Sequence, residues 1–265
     1  VVLTKLVKLE YLNLSFNNFS GTIPAEIGNW EELKHLYLWK NQFSGSIPPS
    51  IGKLRNLTEL SLGENRLSGE LPKELGQLEK LVTAYLNNNA FTGQIPNEMT
   101  RASNLKYLNL NSNNLSGDLP DELGNWEALE SLLLGSNKIT GTFPPSIGKM
   151  KRLKFLSVFW NKMSGTLPSE LGELENLEWL YLTNNRFSGT LPSSISNLKR
   201  LKILAIPNNT FSSFPEELGD LESLEELNAS SAFSGGRIPE NIGNLRNLKL
   251  MLLCNNKLSG EIPAG

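Results

Sequence analysis

Apolar residues fall along the chain in a short phrase that returns at a fixed distance. In "LEYLNLSFN", residues 9–17, leucine occupies positions 9, 12 and 14, and Leu12-Asn13-Leu14 alternates strictly. So short an alternation reads as a strand that buries leucine on one side and shows the intervening residues on the other. Asparagine closes the run at Asn17 and recurs every 24 residues, at Asn41, Asn65, Asn89, Asn113, Asn137, Asn161, Asn185 and Asn209, and then, after a slip of one residue, at Asn256. A leucine precedes each asparagine by eight residues, from Leu9 to Leu201 and again at Leu248, and a proline follows by seven, from Pro24 to Pro192 and again at Pro263. Self-similarity at a fixed period of this length is the mark of a stacked array.

Each unit therefore adds one strand. Parallel pairing at about 4.8 Å per step makes eleven such strands a curved sheet roughly 50 Å long. One unit cannot bury its leucine face alone, but neighbours bury it for one another. An asparagine amide where the chain turns inward must find hydrogen-bond partners. The Ser/Thr-Gly that follows predicts a bend, since glycine reaches backbone conformations closed to other residues. Pro-x-x-Ile/Leu-Gly predicts a one-turn helix on the far side, with proline at its first position and glycine just past its end. The expected class is an α/β solenoid, a single array over residues 1–265. It is irregular around 209–239, where "SSF" replaces Ser-Gly and Ala229 and Ala232 stand at leucine and asparagine positions. Val1–Val7 reads as the tail of a preceding helix and Gly265 stops just after Pro263, so the chain is expected to be a fragment without the terminal caps such stacks require.

Composition narrows the function. A formal net charge of -2 and a pI near 5.7 supply no basic footprint for nucleic acid or anionic lipid. Cys254 is the single cysteine and His35 the single histidine, which leaves no metal-ligand set and no nucleophile with a base beside it. The acids at Pro-x-Glu (Glu26, Glu74, Glu98, Glu122, Glu170) and Glu217 read as first-turn residues favoured by the local dipole rather than as paired catalytic carboxylates. "SGGRIP" lacks the lysine and the strand-to-helix context of a phosphate loop. No enzyme, cofactor or metal is expected within the chain.

The free choices in each unit are the residues that face outward beside the central leucine and next to the asparagine. All five tyrosines fall there (Tyr11, Tyr37, Tyr85, Tyr107 and Tyr181), and so do Trp39, Trp160 and Trp179, while Trp30 and Trp126 replace a core leucine. Two clusters are expected, one of Tyr11, Phe16, Tyr37 and Trp39, the other of Phe155, Phe159, Trp160, Trp179 and Tyr181, with Tyr85 and Tyr107 between them. Exposed tyrosine and tryptophan among asparagine and serine is the composition of a recognition surface. Aromatics that merely stiffen a sheet are the competing reading, but stiffening would not place Phe16 and Trp160 beside the asparagine turn. Glu59 and Glu64 read as solvated, with orientation of a cationic ligand group as the alternative. Six N-x-Ser/Thr sequons, at Asn13, Asn18, Asn56, Asn114, Asn208 and Asn228, are glycosylation candidates and favour an extracellular setting. Sugars on Asn13 and Asn228 would block the two ends of the strand face and leave a ligand the middle.

The unit L-x-x-L-x-L-x-x-N-x-(L/F)-(S/T)-G-x-(I/L/F)-P-x-x-(I/L)-G resembles the leucine-rich repeat, and its S/T-G-x-I-P half resembles the plant-type subfamily. The resemblance implies a right-handed horseshoe with a concave parallel sheet of about eleven strands, short helices of 3-10 type on the convex side, and the asparagines forming a hydrogen-bonded ladder. It further implies part of the ectodomain of a receptor-like kinase or receptor-like protein, binding a peptide or protein ligand with a possible co-receptor. Membrane attachment and any kinase would lie outside this chain. A soluble secreted inhibitor of a cell-wall-degrading enzyme is the alternative. An ice- or glycan-binding surface is a third reading, against which the irregular exposed columns speak.

Overall fold

The computed structural model describes residues 3–264. Eleven strands, from Tyr11–Asn13 to Leu250–Leu252, pair in parallel in chain order into one open, curved sheet. Register follows the repeat: Leu12 lies against Leu36, Leu36 against Leu60, and so on at 24-residue steps. The exception is Ile203 against Glu226, where the chain is one residue short. We number the units 1 to 11 by the residue at the ladder position, from Asn17 to Ala232 in unit 10 and Asn256 in unit 11.

Why this sequence stacks is visible in the core. The central leucines of units 2 to 10 are fully buried or replaced by Ala84, and Trp126 fills a leucine site with its indole N–H donating to the Met99 carbonyl at 3.1 Å. Each side chain packs against copies of itself one step away, so one continuous core runs the length of the array.

The asparagines hold the turns. Asn137 Nδ2 donates to the carbonyls of Leu110 at 2.9 Å and Leu134 at 3.1 Å, and its Oδ1 accepts from the Leu115 N–H at 3.0 Å. From Asn41 onward each amide thus ties its own turn to the preceding unit, meeting the backbone groups that burial would otherwise leave without partners. In unit 10, Ala232 has no amide to offer, and the Phe211 N–H donates to the Ala232 carbonyl at 2.9 Å instead. Phe233 packs on Phe214 there, ring centroids 4.0 Å apart.

Three details differ from the sequence reading. Pro24 and its counterparts do not begin the convex helices; Pro24 is extended (φ -72, ψ 146) and precedes the 3-10 turn Ala25–Asn29. The glycine of Pro-x-x-Ile-Gly sits inside that turn rather than past its end, because the next unit's backbone comes so close that a Cβ on Gly124 would collide with the Ser146 carbonyl. Finally, the Ser-Gly bend is itself a strand. Ser20–Thr22, Gln42–Gly45, Arg66–Glu70 and Ala90–Thr92 form a second parallel sheet on the flank, continued by two smaller ones that include Lys138–Ile139 and Arg186–Gly189. Its glycines carry positive φ, 73° at Gly45 for example, a conformation that glycine adopts at little cost. Among the described residues no helix is long and apolar enough to cross a membrane.

Candidate ligand-binding surface

In each concave strand the residue before and the residue after the buried leucine point away from the core, and a third outward position follows two residues later. Identical positions in successive units form columns, so residues 24 apart in sequence become neighbours in space.

The first cluster is built over units 1 to 4. Tyr11 packs on Tyr37 and on His35, with ring centroids 5.5 Å apart in both cases. Trp39 reaches past the adjoining unit to Tyr85, centroids 6.0 Å apart. It can do so because unit 3 offers only Ser61 and Gly63 at the intervening outward positions. Tyr85 therefore belongs to this cluster rather than to the space between the two. Together with Asn13, Ser15 and Phe16 these rings line a shallow depression of about 430 Å³. Glu59 is not simply solvated: it accepts the Tyr37 hydroxyl proton, and its other oxygen lies 3.6 Å from His35 Nδ1. Burial first, then that hydrogen bond, pushes the Tyr37 phenol well above its ordinary pKa, so it remains a donor across the accessible range.

The second cluster covers units 6 to 8. Phe155 lies 5.8 Å from Trp179 and 5.4 Å from Tyr181, and Phe159 folds over Gly135, which has no Cβ to obstruct it. Lys202 stands over the Trp179 ring at 5.3 Å, a cation–π contact. Burial, and secondarily Glu226, raises the Tyr181 phenol. Tyr107 stands alone between the clusters, among Asn109, Asn111 and Ser131, and is exposed.

One feature had no unambiguous signal in the sequence. The residue before the ladder position is left-handed in all eleven units, with φ between 52° (Glu64, Ser231) and 58° (Phe16). Asn88, Asn184, Asn208 and Asn255 suit that conformation, but an aromatic residue does not. Phe16 and Trp160 nonetheless hold it while remaining 72% and 63% exposed, so their rings gain little packing in return.

Asn13 and Asn18 are exposed, Asn208 is exposed and donates to Asn184 Oδ1 at 2.8 Å, and Asn114 and Asn228 are half-buried. Asn56 has both amide ends engaged, by the Glu31 carbonyl at 3.0 Å and Lys80 at 2.7 Å. Cys254 is exposed, 3.2 Å from the Ser230 hydroxyl. Among the described residues no group of three or more His, Cys, Asp or Glu is arranged to hold a metal.

Family models of the leucine-rich repeat match residues 8–30, 32–54 and 56–78, then 103–163, and a leucine-rich repeat region matches 160–262. The chain belongs to the leucine-rich repeat family. No curated protein matches the sequence. Among solved structures, this leucine-rich repeat chain is similar to the plant peptide hormone receptor RGFR1 in complex with RGF2, at 30% identity and a TM-score of 0.85 over 98% of this chain and 46% of the receptor. It is 35% identical to a TDR receptor, with a TM-score of 0.83 over 98% of this chain and 50% of that one. A plant ice-binding protein is 26% identical, with a TM-score of 0.73 over 96% of this chain and 74% of that one. The chain spans about half the length of the receptors it matches. The plant-type leucine-rich repeat ectodomain is thus its structural class.

Proposed function

We propose that this leucine-rich repeat chain is an extracellular recognition module of a receptor-like kinase or receptor-like protein, binding a peptide or protein on its concave face. The observation that carries the reading is the pair of aromatic clusters, with Phe16 and Trp160 kept exposed in a strained backbone conformation. Such strain persists where something other than the fold selects for the residue. Support comes from the similar structures, which include a peptide hormone receptor in complex with its hormone. Large rigid rings supply contact area at small entropy cost, and neighbouring asparagines and serines supply hydrogen bonds. No chemistry is required of the chain. In this reading the second cluster, over units 6 to 8, is the principal contact, because a sugar on Asn13 would lie in the first.

The test is a surface-binding screen of the secreted chain against extracellular peptides and proteins, with Trp179→Ala in parallel. A ligand that loses roughly 2 kcal/mol or more on that change makes Trp179 a hot spot. A ligand that binds parent and variant alike removes the second cluster from the site. Capture of a cell-wall-degrading enzyme with loss of its activity would replace the receptor reading by the inhibitor one.

A further inference from the structure

A second surface lies on the flank and meets the concave face at Trp160. Lys138, Lys162 and Arg186 occupy the position just after the ladder asparagine in units 6, 7 and 8, and all three are exposed on the flank. The backbone steps evenly between them: the Lys162 N–H donates to the Ile139 carbonyl at 2.9 Å and the Arg186 N–H to Met163 at 2.7 Å. Three cations are thus stacked about 4.8 Å per step, spanning roughly 10 Å. Among the described residues none of them forms an ion pair; the ion pairs of this chain involve other bases.

The repeat readily pairs charges one step apart elsewhere. On the opposite edge of the concave sheet Lys154 meets Glu130 at 2.8 Å and Lys202 meets Glu178 at 2.6 Å, each across 24 residues. On the flank the alternation is abandoned. The outward neighbours just beyond are hydroxyls, Thr140, Ser164 and Ser188; Thr140 donates to Asp118 Oδ1 of unit 5 at 2.6 Å, and no carboxylate stands at these positions in units 6 to 8. In units 3 and 5 the same flank carries Glu70 and Asp118 instead, and its column after the asparagine has only Arg66 as a cation in units 1 to 5. The basic run is local, on a chain whose net charge is -2.

We propose that the flank of units 6 to 8 docks an acidic segment of a partner protein, with Trp160 as the apolar anchor at its rim. Carboxylates on alternate residues of an extended segment stand about 6.8 Å apart, so two or three of them match the length of the basic column. Cations next to hydroxyl donors suit carboxylate groups. A protein is favoured over an anionic sugar chain because the flank offers one protruding tryptophan beside its charges, the pairing typical of protein hot spots, and no row of rings for successive sugars.

The experiment uses the full chain and a fluorescent peptide of alternating glutamate and glycine, read by anisotropy at 50 and 200 mM salt. The parent is expected to bind, more weakly at the higher salt. The triple change Lys138→Gln, Lys162→Gln, Arg186→Gln should weaken binding by roughly tenfold or more, and Trp160→Asn, which suits the left-handed backbone, should weaken it severalfold. Trp179→Ala, in the concave cluster, should leave it unchanged, which keeps this proposal separable from the concave-face reading. No binding by the parent, equal binding by the triple variant, or preference for an oligogalacturonate over the peptide would each overturn the proposal.

Discussion

The two edges of the concave sheet use one repeat in opposite ways. Along one edge Glu10 and Lys34, Glu130 and Lys154, Glu178 and Lys202, and Glu225 and Lys249 alternate in sign and pair within 2.8 Å. Along the other, Lys138, Lys162 and Arg186 share a sign and do not pair. The scaffold is indifferent: a 24-residue step brings any two side chains to neighbouring positions, and only their identity decides between a closed contact and an open one. Neither edge holds the solenoid together. Exposed pairs contribute at most about 1 kcal/mol each, and like charges about 5 Å apart in water repel by on the order of 1 kcal/mol.

The largest effect should therefore come from neither column but from the ladder between them. Asn137→Ala removes an amide that serves four buried backbone groups, and a loss of roughly 3 kcal/mol or more is expected in urea unfolding. A loss as small as that from Lys154→Met would mean that the edge charges matter as much as the ladder. Next comes Trp160→Asn, predicted to raise stability by about 1 kcal/mol because asparagine accepts the left-handed backbone. A lower melting temperature would show that the Trp160 ring is packed after all.

Smaller effects sharpen the comparison directly. Lys154 holds the Glu130 carboxyl below its ordinary pKa, and Lys249 does the same for Glu225. Because the folded values are depressed, their contribution is complete above the unfolded pKa of about 4.3. It is lost as pH falls through the folded values, so Lys154→Met should destabilise at pH 7 and have progressively less effect on acidification below about pH 4. The smallest effect is Lys162→Glu, which turns two repulsions into attractions and should raise the melting temperature slightly at low salt and not at all at high salt. A loss of stability there would mean that the basic column is structural.

Much of this molecule is legible in its sequence, for a physical reason. Leu12, Leu36 and Asn41 are dictated by burial and by hydrogen bonding, forces that act identically in every unit and so repeat. What repeats weakly is harder to read. The position of Phe16, Lys40 and Glu64 has one backbone conformation but no single preferred side chain, and only its asparagines hint at φ above zero. Ser-Gly reads as a turn because glycine breaks strands, yet next to identical neighbours two or three extended residues suffice to form a flanking sheet. Tyr85 joins Trp39 only because Ser61 and Gly63 are small, a relation spread over 46 residues that no local pattern contains. The basic column was visible as letters; its meaning needed the fold to show which edge it occupies and that, among the described residues, none of its three cations forms an ion pair.

Each unit advances the array by the width of one strand and contributes nothing else to its length, so the array is graduated like a ruler. Adding or deleting a whole unit such as unit 5, between the two aromatic clusters, would change their separation by about 4.8 Å while leaving every contact inside each cluster as it was. Distance between recognition elements is here a quantity that duplication can set in integer increments, independently of what those elements recognise.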